Sequence, residues 1–436
     1  MKPFFFQILT FGCKVSQYES QALFEHWVSL NGMEVESPVQ AEVILVASCA
    51  VTAEAVSDAR QAVRKLGREA PKARVIVSGC AATAAPVDFR LPGVIAVIPQ
   101  LAKARLLKIH PLAPAEDFQG LESSLIREER TVFPPFQISS FRRERPVLKV
   151  QDGCSHGCTY CIVPKTRGQA RSRDPKEILD EACRLLLAGH RELIISGVNL
   201  RQYHFGKYNF WALLRLLNKK LMPEWQGRAR LRLSSLDPAQ LDAEGLESLG
   251  LCSLVCPHLH LSIQSGSATL LRRMGRKHYS PESVLESIGK VRDFWPIFGL
   301  GADILMGFPG ETQTELTETD AFVQALPLTY AHVFPYSSRP GTIGENLSDH
   351  LPKIVRQERA AQIRSIVERK KETFLLNQRK MTEFKIVLDG SGGQTGLNEY
   401  YAPCQLDSGI LEENSEILTV RPVGMKGWRI LCVAHE

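Results

Sequence analysis

Three continuous apolar runs punctuate the first hundred residues, and each stops at a cysteine. "FFFQILTFGC" ends at Cys13, "AEVILVASC" at Cys49 and "ARVIVSGC" at Cys80. After the first two runs the period changes. Leu23, Phe24, Trp27 and Leu30 share one helical face in a helix from about Gln17, and Ala55, Ala59, Ala62, Val63 and Leu66 share another in a helix from Thr52. Unbroken apolar strands alternating with amphipathic helices predict a parallel, doubly wound sheet. Such sheets bind ligands outside the carboxyl ends of their strands. Cys13, Cys49 and Cys80 would meet there. One cysteine after a strand is ordinary core, but three at equivalent positions of successive units predict a metal site.

A second series starts near residue 146. "PVLKVQDGC", "ELIISGVN", "ARLRLSS", "HLHLSIQSGS", "GLGADILMGFP" and "AHVFPYS" alternate with helical patterns such as "DPKEILDEACRLLLAG" and "SPESVLESIGKVRDF". Asp174 and Ser280 each precede a proline, the order of an N-cap and a first helical residue. Six such units predict a partial (β/α)6 barrel with its chemistry at the carboxyl rim. The proline- and charge-rich stretch between the two series, with "HPLAPAED" and "VFPPFQ", reads as a linker over 111–141. Beyond a basic helical stretch from Lys353 to Gln378, "TEFKIVLDG" and "ILTVRPVG" alternate apolar and polar, as a small antiparallel β-barrel would. The expected fold is α/β, with units over 1–110, 142–375 and 376–436.

The first barrel strand runs into "VQDGCSHGCTYCIVPKTRG", which spaces Cys154, Cys158 and Cys161 as C-x3-C-x2-C. A structural zinc normally closes its shell with four protein ligands. Three thiolates on a tight loop suit a four-iron cluster with one iron left open to a chelating cosubstrate. A zinc knuckle completed by His156 is the alternative that spacing leaves. Around the same rim, Gly197 and Asn199 of "SGVNL" and Gln264 of "IQSGS" place small or polar residues where a nucleoside could come close. Tyr160 would pack against an adenine or wedge the loop, and "GFPGET" from Gly307 supplies a turn and a helix start.

Composition narrows the class. With 436 residues, 44% hydrophobic and 23% charged, the chain has room for two or three globular units. No apolar run approaches the length needed to cross a bilayer. The opening "MKPFFFQILTFGC" lacks a small-residue cleavage site and reads as a strand, so a cytoplasmic protein without membrane partners is expected. Eleven cysteines without an export signal argue against a disulfide framework. Cys252 and Cys256 read as core thiols, and Cys183, Cys404 and Cys432 as packing. The net charge of +6 decides little, but two runs concentrate it. Arg142–Arg173 holds eight basic residues against Glu144 and Asp152, and Lys353–Lys385 holds ten against four acidic ones. Beside a β-rich tail, these runs point to an anionic polymer as partner.

The segment "VQDGCSHGCTYCIVPKTRGQARSR", with "LSIQSGSATLLRRMGR" and "DILMGFPGET", resembles the radical S-adenosylmethionine methylthiotransferases over nearly the whole chain. Within that family, "GCKVSQYES" and "HVFPYSSRPGT" resemble the branch that acts on N6-threonylcarbamoyladenosine beside tRNA anticodons. The resemblance implies an N-terminal methylthiotransferase domain, a radical SAM core and a C-terminal RNA-binding TRAM domain. It implies two 4Fe-4S clusters, one on Cys154, Cys158 and Cys161 and an auxiliary one on Cys13, Cys49 and Cys80. S-adenosyl-L-methionine would sit against Tyr160, Gly197, Asn199 and Gln264. The implied partners are the tRNA anticodon stem-loop and a reducing electron donor. The implied reaction replaces the C2 hydrogen of adenosine 37 by a methylthio group, and the alternative substrates are isopentenyladenosine in tRNA or a ribosomal protein aspartate. The chain departs from the family pattern at Ser16, where asparagine is usual, and at Ser155 and His156; "TGLNEYYAP" matches the family's tail motif only loosely.

Overall fold

The structure is a computed structural model and describes residues 2–123, 131–389, 393–407 and 417–434. Its first layer is a five-stranded sheet in which every pairing is parallel. In spatial order the strands are Gly32–Glu34, Phe4–Thr10, Val43–Ser48, Arg74–Gly79 and Val94–Pro99. Val43–Ser48 is buried on both faces, which is why its sequence is apolar without alternation. The helix Ala53–Glu69 covers one face through Val56, Ala59, Val63 and Leu66, and Thr52 caps it by accepting from the Ala55 N–H at 3.1 Å. The helix Lys14–Ser29 covers the other face, and Trp27 meets Phe6 edge-on at 5.3 Å. Strand order reverses between Phe4–Thr10 and Val43–Ser48, so the crevice of this sheet opens beside Cys13 and Cys49.

The second unit is a partial barrel of six parallel strands: Val147–Lys149, Glu192–Ser196, Arg230–Leu233, His258–Gln264, Gly299–Met306 and Tyr330–Pro335. The third breaks at Ser234, and its continuation Ser235–Leu236 pairs with the fourth. Asp174 and Ser280 cap the helices Pro175–Leu187 and Pro281–Val291 as their sequence position predicts. One apolar core runs without interruption from Phe6 and Trp27 of the first sheet to Leu193, Leu261 and Ile304 of the barrel.

Residues 111–141 contain the helix Ala115–Ser123 and bury Phe118, Leu121, Phe136 and Ile138 in that shared core. They also join the two units directly. The Tyr18 hydroxyl donates to the Phe136 carbonyl at 2.7 Å, and the Ile138 N–H donates to Glu181 at 2.9 Å.

The tail is a closed five-stranded barrel built from Phe384–Leu388, Thr395–Asn398, Pro403–Leu406, Leu418–Lys426 and Arg429–Ala434. Its pairings are antiparallel except for Pro403–Leu406 with Arg429–Ala434, which is parallel and closes the barrel. Cys404 and Cys432 lie in its core, where the packing role expected of them holds. Cys252 and Cys256 are likewise buried.

Candidate active site

The loop that carries Cys154, Cys158 and Cys161 leaves the barrel rim through a turn only glycine can make. Gly153 has φ +69°, and a Cβ there would lie 1.9 Å from the Gln169 carbonyl oxygen. The Cys154 N–H donates to the Gly168 carbonyl at 3.0 Å, and the Cys161 N–H to the Cys158 carbonyl at 3.1 Å. From outside, the Thr159 N–H donates to the Met274 carbonyl at 3.0 Å, and its own carbonyl accepts from the Gly344 N–H at 2.7 Å. The thiols therefore stand on a loop pinned from three directions.

Charge around this loop is arranged for thiolates. Arg276 is buried, with one Nη 3.6 Å from Cys158 Sγ and the other 3.1 Å from Asp237 and 2.8 Å from the Ser262 carbonyl. The Asn199 side-chain amide donates to Cys154 Sγ at 3.5 Å, and its backbone N–H is held by Gln151 Oε1 at 2.8 Å. Burial pushes the Cys161 thiol up to about 12 and raises that of Cys158, which Arg276 opposes. A nucleophilic cysteine would be shifted downward. The guanidinium of Arg276 and the amide of Asn199 against the sulfurs suit thiolates that ligate a metal.

The other trio forms at the crevice of the first sheet. Cys13 caps the helix Lys14–Ser29, Cys49 follows Val43–Ser48, and Cys80 opens the short helix Cys80–Ala84. Gly79, at φ +118°, allows the last approach: a Cβ there would sit 2.4 Å from the Ser48 carbonyl oxygen. Burial pushes Cys49 up to about 11 and also raises Cys80, while Cys13 is exposed. Among the described residues, two groups of three possible ligand atoms converge within 4.8 Å of one another: His156–Asp237–His278 and His260–Asp303–His332. Neither includes a cysteine.

The two trios are joined by one short helix. Cys161 leads through Ile162 into Val163–Arg167, which packs against the helix Cys80–Ala84. Ile162 packs in the apolar core of the first unit. Beneath this contact lies a closed ion network. Glu19 accepts from Lys103 at 3.1 Å, Lys149 at 2.8 Å and Arg167 at 2.8 Å. Asp152 accepts from Lys149 and Arg167 at 2.9 Å and from Arg171 at 3.3 Å. Burial alone would raise the Glu19 carboxyl, but Arg167, Lys149 and Lys103 hold it well below the carboxylate range. Asp152, also opposed by burial, is held down to about 2 chiefly by Lys149 and Arg167.

Residues 148–323 match the Radical SAM superfamily, and residues 6–92 match the uncharacterized protein family UPF0004. The chain is 33% identical to the threonylcarbamoyladenosine tRNA methylthiotransferase MtaB of Bacillus subtilis, over 80% of this chain and 77% of that one. It is 31% identical to the MtaB of Thermotoga maritima, over 91% and 89%. The chain belongs to the MtaB methylthiotransferase family. The tRNA-2-methylthio-N(6)-dimethylallyladenosine synthase of Agrobacterium fabrum is 31% identical over 84% of this chain and 83% of its own. Among solved structures, the radical S-adenosylmethionine methyltransferase TsrM of Kitasatospora setae shares the fold. Its TM-score is 0.54 at 14% identity, over 76% of this chain and 74% of that one.

Of the other residues that sequence singles out, Asn199 lies against Cys154, and Gly197 stands where a Cβ would press on Gln151 at 2.9 Å. Gln264 ends its strand at φ +69°, beside a register shift that turns the rim. Tyr160 packs into the apolar cluster of Leu270, Leu271, Met274, Leu305, Phe308 and Tyr336, so its ring wedges the loop. His156, the candidate fourth zinc ligand, sits 5.0 Å ring to ring from His278 and beside Asn199 at 3.3 Å. Sequence reading missed Arg276, Asp237 and His278. The one local signal was the Gly275–Arg276 pair after a short helix: a Cβ on Gly275 would lie 2.6 Å from the Gly157 carbonyl oxygen.

In this MtaB-family chain part of each basic run is spent inside the protein. Lys149, Arg167, Arg171 and Arg173 are buried on Glu19, Asp152 and Glu181. In the helix Lys353–Gln378, Arg356 donates to the Tyr336 carbonyl, Arg359 to Glu311 at 2.9 Å and Arg364 to the Val333 carbonyl at 2.9 Å. Lys370 donates to the Gln324 and Leu326 carbonyls. These cations clamp the helix onto the barrel, which a count of charges along the sequence cannot distinguish from a phosphate-binding face. Toward the tail, Lys371 lies 4.9 Å from the ring of Trp428, itself 49% exposed. No helix among the described residues is long and apolar enough to cross a membrane.

Proposed function

We infer that this chain is a tRNA methylthiotransferase that adds a methylthio group to C2 of N6-threonylcarbamoyladenosine at position 37, beside the anticodon. One observation carries the reading: two separate cysteine trios, from two units, flank one packed junction, where the helix that follows Cys161 meets the helix that opens at Cys80. A reaction that must deliver sulfur to an unactivated carbon needs both sites within reach of one base. The MtaB relatives, named for threonylcarbamoyladenosine, favour this substrate over isopentenyladenosine or a protein aspartate.

Cys154, Cys158 and Cys161 would hold a 4Fe-4S cluster with an open iron, and Cys13, Cys49 and Cys80 an auxiliary 4Fe-4S cluster. When bound, the first cluster with S-adenosylmethionine supplies the one-electron chemistry that an adenine C–H bond requires. The chain's own residues bind and orient. Arg276 and Asn199 balance charge on the Cys158 and Cys154 sulfurs, Arg167 and Thr166 do so beside Cys80, and Gln151 fixes Asn199. The cosubstrate would sit along the rim at Tyr160, Gly197, Asn199 and Gln264. Units over 1–110, 142–375 and 376–436, joined through 111–141, would divide sulfur supply, radical generation and RNA holding. The tail barrel, with Lys371 and Trp428, supports an RNA contact in which the target base is splayed from its loop. A reducing electron donor and a cytoplasmic setting complete the reading.

Mass spectrometry of tRNA nucleosides from cells with and without the gene tests it. Loss of 2-methylthio-N6-threonylcarbamoyladenosine, with its unthiolated precursor accumulating, is expected. Loss of 2-methylthio-isopentenyladenosine instead would overturn the substrate assignment.

A further inference from the structure

His260, Asp303 and His332 lie on three neighbouring barrel strands, His258–Gln264, Gly299–Met306 and Tyr330–Pro335. Leu259, Leu261, Ala302, Ile304 and Val333 turn toward the apolar core shared with the outer helices. Strand side chains alternate, so His258, His260, Asp303, Tyr330 and His332 share the opposite face, the inside of the barrel. Asp303 and His332 are direct partners in the parallel register, and His260 pairs with Gly301 one strand over.

His260 is fixed from behind. Its Nδ1 meets the Tyr330 hydroxyl at 2.9 Å, the same hydroxyl that meets His258 Nε2 at 2.9 Å. Gly301 makes room for this contact, because a Cβ there would collide with both that hydroxyl and His260 Nδ1. His260 Nε2 is thereby aimed at Asp303, 3.1 Å from its carboxylate oxygen. A histidine and a carboxylate at this distance make an ordinary hydrogen bond. That bond leaves His332 unexplained. A ring nitrogen of this exposed residue lies within 4.8 Å of both other ligand atoms. Two ligands on one zinc ion, each about 2.0–2.2 Å from it, stand roughly 3.0–3.5 Å apart. His260 and Asp303 already have that spacing, and a rotation of the His332 ring supplies the third ligand. A hydrogen bond to the far ring nitrogen is the usual support of a metal-binding histidine, and Tyr330 gives it to His260. The comparable group His156–Asp237–His278 is already engaged: Asp237 holds Arg276 at 3.1 Å and His278 at 2.9 Å, and His156 stands on the cysteine loop.

We propose that His260, Asp303 and His332 bind one divalent transition-metal ion of the zinc class inside the barrel, separate from both cysteine trios. Two imidazoles and a carboxylate suit Zn2+ over Mg2+ or Ca2+, which take mostly oxygen ligands. Three protein ligands leave a fourth position for an oxygen donor such as water. The gradation from buried His260 to exposed His332 gives the ion a way in. The site stands whichever base the enzyme modifies.

The test dialyses the anaerobically reconstituted enzyme, its clusters in place, to equilibrium with micromolar free Zn2+ and counts zinc and iron per chain. About one zinc is expected beside an unchanged iron content. Asp303→Asn, which keeps the side-chain shape, and His332→Ala, at an exposed position, should each lose the zinc and keep the iron. Tyr330→Phe should weaken zinc binding roughly tenfold to a hundredfold. X-ray absorption at the zinc edge should show nitrogen and oxygen at about 2.0–2.2 Å and no sulfur. An unmodified enzyme that binds no zinc would overturn the proposal and leave an ordinary hydrogen bond between His260 and Asp303. Zinc retained by both Asp303→Asn and His332→Ala would overturn it too. So would a sulfur shell around the zinc, which would place the ion on cysteines.

Discussion

At Gly153 the backbone turns through φ +69° with the Gln169 carbonyl pressed where a side chain would start, 1.9 Å away. The neighbour is backbone, so it cannot swing aside. Gly153→Ala should leave the first sheet and tail intact but lose about half of the bound iron, measured per chain after anaerobic purification. Full iron in that variant would show that the loop has slack the geometry denies. Glu19 makes the opposite case, a residue whose role no local pattern announces. Glu19→Gln removes a charge that Lys103, Lys149 and Arg167 all need and should cost about 3–5 kcal/mol of stability. Because the folded carboxyls of Glu19 and Asp152 are depressed, their stabilisation is complete above the ordinary carboxylate range of about 4. It is lost as pH falls toward 2. Urea melts of the two proteins should therefore differ most near neutral pH and converge in acid; a gap that stays constant down to pH 3 would contradict the network. The cysteines were legible from sequence because spacing and strand ends mark them. Glu19 and Arg276 were not, because their partners come from remote segments.

Elements were legible where one period dominates. Val43–Ser48 and the capped helices at Asp174 and Ser280 follow from apolar runs and cap residues alone. The helix Lys353–Gln378 was legible as a helix, but the destination of its charges was not. Arg359 and Lys371 are equivalent in sequence, yet the first pairs with fully buried Glu311 and the second stands over exposed Trp428. Arg359→Ala should lower stability by about 3 kcal/mol by leaving Glu311 unpaired, with little change in the salt dependence of tRNA binding. Lys371→Ala should keep the melting temperature and reduce the salt slope by roughly 0.7–0.9, one phosphate contact. Filter binding across salt concentrations, beside thermal melts, checks both. A reversed pattern would move the RNA face from the tail to the helix. Residues 111–141 carry the same lesson: proline and charge suggest a loose connector, while Phe136 and Ile138 are fixed by Tyr18 and Glu181 from either side.

Across the whole molecule, the first sheet and the barrel form one body around the helix Val163–Arg167, and the tail is fastened to the far end of the barrel. Arg230 and Arg232 donate to the Lys385, Leu397, Asn398 and Glu399 carbonyls of the tail while Glu192 holds both guanidinium groups. RNA held by the tail, as proposed, would thus be registered against the barrel strands that lead to the rim. The central claim is that two cysteine trios at one junction of the first sheet and the barrel hold two clusters with separate duties. Iron and acid-labile sulfide, counted per chain after anaerobic reconstitution, test it most directly. The account predicts about eight irons in the unmodified protein and about four in each triple alanine variant, at Cys13, Cys49 and Cys80 or at Cys154, Cys158 and Cys161. Only the first variant should still cleave S-adenosylmethionine. An unmodified protein with about four irons that the first variant keeps in full would contradict it.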